Sequence, residues 1–237
     1  MKGSGPFSRT HTISRGKLGA KPHPVAVRMR KMDPTPSLRD EFGDIDIYLF
    51  DQLLRGRIAA GMRVFDAGCG SGRNLVYLFR QGFEVCGNDA NPAAIAQVRA
   101  LANALAPGRT HDFRIEAIEA TSFPDRHADV VIASAVLHFA RDAAHFEAML
   151  RQSWRVLRPG GLFFARLAST IGIEAAVTPI GAGRYRLPDG SDRFLVDAAA
   201  IEGWTRRLRG ALIDPIKTTV VHDQRSMTTW VARMGES

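Results

Sequence analysis

A glycine-rich turn behind an aspartate is the part of this sequence best suited to chemistry. The stretch from Val64 to Asn74 reads Val-Phe-Asp-Ala-Gly-Cys-Gly-Ser-Gly-Arg-Asn. Glycines permit a tight turn in which the backbone can approach a ligand closely. A strand, such a turn and a helix N-terminus together present free N–H groups, as in nucleotide sites. Asp66 precedes the turn, where a carboxylate would repel a pyrophosphate but attract an ammonium group.

Two other interpretations of the turn compete with this one. The dinucleotide fingerprint has glycines at its first, third and sixth positions. Gly68 and Gly70 fit the first two, but the sixth position is Arg73. The second alternative is an ordinary glycine turn in an α/β protein. Asp89 favours a ligand, because an acid ending the next strand, about 20 residues on, can accept both hydroxyls of a ribose. The alternative role of Asp89 is to cap the N-terminus of the following helix.

The turn resembles motif I of the class I S-adenosylmethionine (SAM) dependent methyltransferases, and within them a small-molecule branch of the type 11 and type 12 kind. The resemblance covers about Asp44 to Leu167 through four ordered segments. After motif I come Val85–Pro92, then Ile118–Asp125 with its Phe-Pro-Asp ahead of Ala128–Ile132, and then Val131–Asp142. Arg151–Gly161, which ends in Arg-Pro-Gly-Gly, completes the pattern.

The resemblance implies a set of SAM-binding residues. In the family an acid and the backbone N–H of its neighbour contact adenine, and Glu119 and Ala120 match these positions. The usual Asp is Glu here, and Glu116 lies nearby. A backbone carbonyl at Ala133 or Ser134 would face the amino group of SAM. The residues assigned to the cofactor are Asp66, Gly68, Gly70, Arg73, Asp89, Ala90, Glu119, Ala120 and Ser134.

The chemistry of SAM sets what the protein must add. A sulfonium already carries a good leaving group, so the protein chiefly aligns nucleophile, methyl and sulfur, which can supply about 7–11 kcal/mol. A protonated nucleophile also needs a base with a pKa near the working pH. The resemblance puts His138 on the substrate side and makes it the first candidate. Asp142, His145 and Tyr185 are further candidates, and the alternative for His138 is a packed histidine that shapes the pocket.

Two more features bear on the substrate side. Tyr48 lies in an apolar lead-in and could cover the active site, or it could simply pack. Arg166 ends the fifth strand, and arginines suit bidentate capture of a carboxylate or phosphate. An anionic substrate is therefore a hypothesis. The side chains that could gather with Arg166 are Arg184, Tyr185, Arg186 and Arg193, and the alternative partners of these arginines are Asp189, Asp192 and Asp197.

Alternating strand and helix patterns must position these residues. The pattern predicts an α/β fold with a doubly wound, Rossmann-like, seven-stranded sheet, mostly parallel with a C-terminal antiparallel edge pair. Strands are expected at Arg63–Asp66, Glu84–Asn88, Phe113–Glu116, Ala128–Ser134 and Leu162–Leu167, and helices at Arg73–Gln81, Pro92–Leu105 and Ala143–Leu157.

The flanking parts of the chain carry weaker signals. Apolar residues at helical spacing predict a helical lead-in over Asp40–Gly61. Arg158–Gly161 is expected to break the chain before the fifth strand, and Gly181–Gly190 to form a loop or hairpin. Asp197 is expected to cap a helix that runs to about Arg209. The antiparallel edge pair is expected at Leu212–Val221 and Met227–Met234.

Charge divides the chain. Residues 1–39 carry nine Lys/Arg and one acid, a net +8, so residues 40–237 are formally neutral. We interpret 1–39 as a flexible basic arm and 40–237 as a single methyltransferase domain. The arm could bind nucleic acid or an anionic surface, act as a transit peptide, or be a dispensable extension with its true start at Met29 or Met32.

Composition excludes several classes. Only Cys69 and Cys86 occur, without C-x-x-C spacing, so neither a zinc site nor a disulfide framework is expected, and no metal is assigned. No apolar run approaches the ~18 residues of a membrane span, and no secretory signal is apparent. We expect a cytoplasmic protein without membrane contact.

The sequence therefore predicts an enzyme that transfers a methyl group from SAM to a small-molecule acceptor by in-line displacement. Two other functions stay open: an RNA methyltransferase that uses the basic arm, and a non-catalytic SAM-binding protein. The neutral body disfavours nucleic acid as the partner. The acceptor and the oligomeric state cannot be read from the residues.

Overall fold

Eight strands, one more than the seven predicted, form the main sheet in the computed structural model, which describes residues 37–236. The strands in chain order are β1 (Arg63–Ala67), β2 (Glu84–Asp89), β3 (Asp112–Ile115), β4 (Ala128–Ser134), β5 (Leu157–Ala168), β6 (Thr178–Gly181), β7 (Arg184–Arg186), β8 (Asp192–Phe194), β9 (Gly210–Leu212), β10 (Lys217–Val221) and β11 (Arg225–Met234). The main sheet has the order β10-β11-β5-β4-β1-β2-β3, and β9 pairs with β11. Strands β1 to β5 run parallel. The predicted Rossmann-like sheet, mostly parallel with antiparallel strands at one side, is confirmed.

The C-terminal pair is antiparallel as predicted, but only one of its strands lies at the edge. Strand β11 pairs with β10 on one side and with β5 on the other. Trp230 and Ala232 of β11 are fully buried, and Val231 between them is 2% exposed. A strand that is apolar on both faces is stabilised inside a sheet, which explains why β11 lies next to β5 and leaves β10 outside.

Helices cover both faces of the main sheet. They are α1 (Leu38–Phe42), α2 (Ile47–Leu54), α3 (Val76–Arg80), α4 (Pro92–Leu105), α5 (Ala143–Val156) and α6 (Ala198–Arg207). Successive strand residues point to opposite faces, so β5 sends Phe163 into one core with Trp230 and Phe164 into the other with Phe79. The two cores hold the strand ends rigidly, and the functional residues lie at these ends.

The lead-in consists of two short helices and not of the one continuous helix predicted. Gly43 ends α1 with φ +65°, and a Cβ there would lie 2.7 Å from Cγ2 of Val76. Asp46 then caps α2 by accepting the Tyr48 N–H at 2.9 Å. The predicted arm boundary after residue 39 falls inside α1. Residues 1–36, which make up nearly all of the predicted arm, lie outside the described residues.

Two predicted element boundaries in the main domain are also wrong, namely the start of α3 and the start of β5. Helix α3 begins at Val76 and not at Arg73, so no helix N-terminus follows the glycine turn directly. Strand β5 already begins at Leu157, so Arg158–Gly161 belongs to the strand and does not precede it. A register shift between Ala128 and Val130 of the neighbouring β4 accommodates this segment, and Gly160 has φ +73°.

The segment after β5 forms a small separate sheet. Strands β6, β7 and β8 pair antiparallel in that order, in agreement with the hairpin alternative for Gly181–Gly190. Asp197 caps α6 as predicted, since its side chain accepts the Ala200 N–H at 2.7 Å. No helix in residues 37–236 combines the length and apolar character needed to cross a lipid bilayer.

Candidate active site

Two cavities open at the carboxyl ends of the parallel strands. The first, which we call the acidic cavity, has a volume of about 310 Å³. The second, the arginine cavity, has a volume of about 320 Å³. The acidic cavity is lined by Gly68, Asp89, Ala90, Ala117, Ile118, Glu119, Val136, Phe139, Arg141, His145 and Met149. The arginine cavity is lined by Ala135, His138, Arg166, Ala168, Leu187, Asp189, Ser191, Arg193, Val221, Arg225 and Met227.

One short segment after β4 separates the two cavities. Val136 and Phe139 line the acidic cavity, while Ala135 and His138 line the arginine cavity. Ala135 has φ +60°, a conformation that costs a non-glycine residue free energy. Its N–H donates to the carbonyl oxygen of Arg166 at 2.7 Å, which holds the turn in place. A strained residue fixed in this way is typical of functional sites.

The glycine turn closes one wall of the acidic cavity. Gly68 has φ +69°, and a Cβ there would lie 2.5 Å from Cγ2 of Val136. The Gly70 N–H donates to Oδ2 of Asp89 at 2.9 Å, and Oδ1 of Asp89 accepts the Asn91 N–H at 2.8 Å. Asp89 therefore fixes the turn to the second strand and still lines the cavity. Asn91, and not Asp89, is the N-cap of α4.

Asp66 lies behind the turn in an unusual environment. It is only 2% exposed. Among residues 37–236, no hydrogen bond to its carboxylate is found. Burial, and to a lesser degree the charge of Asp89, raises its pKa to about 8, although the nearby Arg73 guanidinium acts in the opposite direction. A buried carboxyl without a partner is costly, and a cationic ligand would stabilise its ionised form.

Arg73 and Ser134 lie near Asp66 but not in the lining of the acidic cavity. Nη2 of Arg73 donates to Oγ of Ser134 at 3.1 Å across the ends of β1 and β4. The predicted residues thus fall into two groups. Gly68, Asp89, Ala90 and Glu119 line the acidic cavity, whereas Asp66, Gly70, Arg73, Ala120 and Ser134 lie outside its lining.

Of the two residues predicted to contact adenine, only Glu119 lies where it could do so. Glu119 lines the acidic cavity, and its Oε1 lies 2.9 Å from Nε2 of His145. Ala120 is exposed, and its N–H donates to the Ala117 carbonyl oxygen at 3.1 Å within the short 3-10 turn Ile118–Ala120. That N–H is therefore already used, which corrects the expectation for Ala120. Ala117, three residues earlier, lines the cavity in its place.

His138 is placed where a substrate would lie, but it is not suited to act as a base. It is buried in the wall of the arginine cavity, and Nδ1 accepts the Ala168 N–H at 3.3 Å. Burial, and then the charge of Arg193, lowers its pKa to about 4. The ring is thus neutral at pH 7 with its proton on Nε2, so it offers an N–H donor.

The other candidate bases are also occupied or remote. The Asp142 carboxylate caps α5 by accepting the His145 N–H at 2.7 Å. Nδ1 of His145 accepts the Arg141 N–H at 3.1 Å. Tyr185 packs against the small apolar cluster formed by Ala168, Leu187 and Leu195, outside the lining of either cavity.

Arg166 connects the lead-in helix to the arginine cavity. Its Nε lies 3.2 Å from Oδ2 of Asp46, and its guanidinium lies 4.7 Å from the centre of the Tyr48 ring. Tyr48 shares a hydrogen bond of 2.8 Å with Oγ1 of Thr219 on β10. Tyr48 therefore supports Arg166 from behind and does not line the cavity that it was expected to cover.

The remaining arginines separate into two sets. Arg193 lines the arginine cavity, and its guanidinium lies 4.9 Å from the centre of the Phe139 ring. Arg186 is paired with Asp192, as the alternative interpretation expected. Neither Arg184 nor Arg186 lines the cavity. Arg225 does line it, although no sequence signal pointed to it.

Both cysteines are free and buried. Burial raises the pKa of the Cys69 thiol far above its ordinary value and that of Cys86 to about 12. Neither thiol is therefore a nucleophile at neutral pH. Within residues 37–236 no group of His, Cys, Asp and Glu side chains could hold a metal ion.

Known proteins resemble this chain in sequence and in fold. A family described as "Methyltransferase domain" matches residues 65–165. A ubiquinone biosynthesis O-methyltransferase of Methylobacterium sp. (strain 4-46) is 33% identical over 123 residues, 52% of this chain and 47% of that protein. A SAM-dependent methyltransferase of Methanosarcina mazei superposes with a TM-score of 0.65 at 19% identity, over 78% of this chain and 98% of that one.

A ligand-bound structure has the same fold. It is the 1,6-didemethyltoxoflavin-N1-methyltransferase of Burkholderia thailandensis, with 1,6-didemethyltoxoflavin and S-adenosylhomocysteine bound. It superposes with a TM-score of 0.60 at 18% identity, over 78% of this chain and 76% of that one.

The comparisons support the class I SAM-dependent methyltransferase family, on a family match that covers residues 65–165. The aligned part of this methyltransferase spans about half the length of the Methylobacterium relative. The matched residues 65–165 contain the glycine turn, Asp89, Glu119 and His138. Arg193 and Arg225 lie beyond them.

The matched family and the ligand-bound Burkholderia structure support SAM as the cofactor. The residues present fit such a ligand by two independent features. The buried Asp66 carboxyl has no hydrogen-bond partner within residues 37–236 and can receive a cationic group. Gly68 packs so tightly against Val136 that no side chain fits between them, which brings the backbone of the turn to the wall of the acidic cavity.

Proposed function

We propose that this methyltransferase transfers a methyl group from SAM to a small-molecule acceptor, with the cofactor at the acidic cavity and the acceptor in the arginine cavity. The observation that carries the proposal is the shared wall between them. Residues 135–139 alternate between the two cavities, so ligands on the two sides would be separated by one segment of chain.

Each residue proposed to bind the cofactor is matched by charge or hydrogen bonding to one group of SAM. The buried Asp66 would hold the ammonium group of the methionine part, since an isolated carboxylate at this depth gains most from a cationic partner. Asp89 would accept the ribose hydroxyls with the oxygen capacity that its two backbone hydrogen bonds leave. Glu119, held beside His145, would accept the adenine amino group. Arg73 would face the carboxylate of the cofactor.

SAM, when bound, supplies a methyl group on a positively charged sulfur. The protein's own task is then to orient the acceptor and exclude water. His138 would donate a hydrogen bond from its Nε2–H to an oxygen or nitrogen of the acceptor, because Nδ1 already accepts the Ala168 N–H. No side chain of the arginine cavity is suited to remove a proton at pH 7, because the pKa values of His138 and Asp189 are both lowered. The attacking atom must therefore carry no proton that has to be removed before methyl transfer.

A small molecule, rather than a nucleic acid, is favoured as the acceptor. The arginine cavity holds about 320 Å³, in the usual range for small-ligand sites. The Methylobacterium relative and the Burkholderia structure are both named for small-molecule acceptors. We further propose that residues 40–237 act as one methyltransferase domain.

Calorimetric binding of S-adenosylhomocysteine tests the cofactor part. Asp66→Ala should weaken binding about 100-fold or more, because breaking a buried ion pair costs about 3–5 kcal/mol. Asp89→Ala should weaken it about tenfold or more. Asp44→Ala, at a carboxylate 65% exposed, is the matched control and should bind like the parent.

Turnover tests the acceptor part. The parent protein should convert SAM to S-adenosylhomocysteine with the small-molecule fraction of a cell extract and not with its RNA fraction. Methylation of RNA alone would overturn the proposed acceptor class. Cofactor binding without turnover of either fraction would favour a non-catalytic SAM-binding protein.

A further inference from the structure

The arginine cavity presents more cationic hydrogen-bond donors than the protein itself uses. Three of its side chains are arginines, namely Arg166 on β5, Arg193 on β8 and Arg225 at the start of β11. In residues 37–236 neither Arg193 nor Arg225 has a carboxylate within ion-pair distance. Nη1 of Arg166 is buried and has no hydrogen-bond partner in that part of the chain. A buried donor left without a partner costs free energy, so these groups point to an anionic ligand.

The charge balance of the cavity indicates what kind of anion it fits. Asp46 neutralises Arg166 at 3.2 Å. Asp189 is the one acid in the lining, and its hydrogen bonds with Ser191 hold its pKa below the ordinary value, so it offsets a second positive charge. His138 is neutral in the wall. One net positive charge remains, which suits a monoanion better than a phosphate dianion.

The guanidinium planes are already oriented. Arg166 lies over the Tyr48 ring and Arg193 over the Phe139 ring, at 4.7 and 4.9 Å from the ring centres. Stacking on an aromatic face restricts an arginine side chain, so less entropy is lost when it binds a ligand. A guanidinium fork matches the planar carboxylate in a bidentate arrangement.

The rest of the cavity is suited to the body of an organic molecule. Ala168, Leu187, Val221 and Met227 supply apolar contacts beside the arginines. Leu187 is 4% exposed and Ala168 3%, so this part of the wall is firmly packed, whereas Val221 is 37% exposed. A ligand in this cavity would therefore combine one anionic group with an apolar part.

We propose that the arginine cavity recognises the carboxylate of a small organic acid, and that this acid is the methyl acceptor. The inference rests on the proposed function for the statement that the bound acid is methylated. The binding of the acid stands on the cavity alone. Arg193 and Arg225 supply the free positive charge, and Arg166 contributes its unpartnered Nη1.

Binding of matched acid and amide probes tests the inference without any turnover. Benzoate and hexanoate are titrated into the protein loaded with S-adenosylhomocysteine, and benzamide and hexanamide serve as neutral partners of the same shape. At least one acid should bind five- to tenfold more tightly than its amide. Arg193→Gln and Arg225→Gln should each abolish that preference. Arg184→Gln, on the neighbouring strand β7 and outside the cavity lining, should retain it.

Three results would overturn the inference. The first is that neither acid binds better than its amide. The second is that the preference for the acid survives in both cavity variants. The third is that inorganic phosphate binds more tightly than either acid. Arg225 is exposed, so its variant removes a charge without opening the core. S-adenosylhomocysteine binding, measured on the same samples, separates this failure from a failure of the proposed function, because only the latter would abolish cofactor binding in the parent protein.

Discussion

The acidic and arginine cavities share one wall but are built in opposite ways. The acidic cavity takes Asp89 from the last position of β2 and Glu119 from the short turn after β3, with Asp66 behind its glycine turn. The arginine cavity takes Arg166, Arg193 and Arg225 from strands that lie far apart in the chain. The first is organised by local turns, and the second only by the packing of β5, β8 and β11.

The two cavities also differ in charge: carboxylates lie at the acidic cavity and guanidinium groups at the arginine cavity. A ligand with an ammonium and a sulfonium group is attracted to the side of the carboxylates, where Arg141, 4.0 Å from Glu119, offsets one of the negative charges. An anionic acceptor is attracted to the side with three guanidinium groups. Opposite charges on the two sides of one segment would bring the two ligands together in a fixed order. Substitutions at the shared wall, at the acidic side and at the basic side test this contrast between the cavities. Their expected effects decrease in that order.

The largest effect is expected at the wall. Gly68→Ala places a Cβ 2.5 Å from Cγ2 of Val136 in a backbone with φ +69°. The free energy of unfolding should fall by about 2–4 kcal/mol, since left-handed strain and overpacking add. Urea denaturation measures this loss, and S-adenosylhomocysteine affinity should fall in the same variant.

Gly56→Ala is the matched control for that change. Gly56 has φ +67°, but a Cβ there meets nothing within 4 Å. Its cost should therefore be the backbone strain alone, about 1–2 kcal/mol. If the free energy of unfolding fell equally in the two variants, Val136 would not be in tight contact with the glycine turn. The two segments would then not form one packed wall.

The next effect concerns the acidic side. The folded protein holds the Asp66 proton up to about pH 8, whereas the unfolded chain releases it near the ordinary value of 3.8. Stability of the ligand-free parent should therefore decrease as pH rises from about 4 to 8. Asp66→Asn should melt about 3 °C or more above the parent at pH 8, with the difference vanishing near pH 4.

Thermal melts across this pH range check the prediction. The same variant should bind S-adenosylhomocysteine poorly, because an amide cannot pair with the ammonium group. A variant that is neither stabilised at pH 8 nor impaired in binding would mean that Asp66 is already satisfied in the free protein.

The smallest effect concerns the basic side. Once the turnover assay has identified an acceptor, His138→Gln should lower kcat by less than about tenfold, because glutamine can still donate a hydrogen bond. A general base would contribute about 10²–10⁴-fold. In the parent, kcat should show no inflection between pH 5.5 and 7.5, since the pKa of His138 lies near 4. A larger loss together with an inflection near pH 6.5 would restore His138 as the base.

Most of the sheet and the position of the glycine turn could be predicted because their signals are local. The order of strand, glycine turn and helix is written in adjacent residues, and Asp66, Gly68 and Asp89 keep a fixed spacing to it. The break of the lead-in at Gly43 was missed because an apolar helical pattern does not record the contact with Val76 that excludes a side chain there.

The roles of individual polar groups were harder to predict. Ala120 was assigned by its distance along the chain, but a 3-10 turn uses its N–H internally. His138 was chosen because free histidine titrates near neutral pH, yet burial and Arg193 lower its pKa. Both errors arise because hydrogen bonding and desolvation depend on neighbours that are remote in sequence.

The sequence by itself determined the α/β architecture, the glycine turn and the carboxylates at the strand ends, because turns and capping depend on residues that are neighbours in the chain. The tertiary structure alone decided which arginines face the second cavity. Arg186 is paired with Asp192, while Arg193 and Arg225 reach the cavity through strand pairings that join distant segments. Charge at a site depends on distances through space, and these exist only once the sheets have formed.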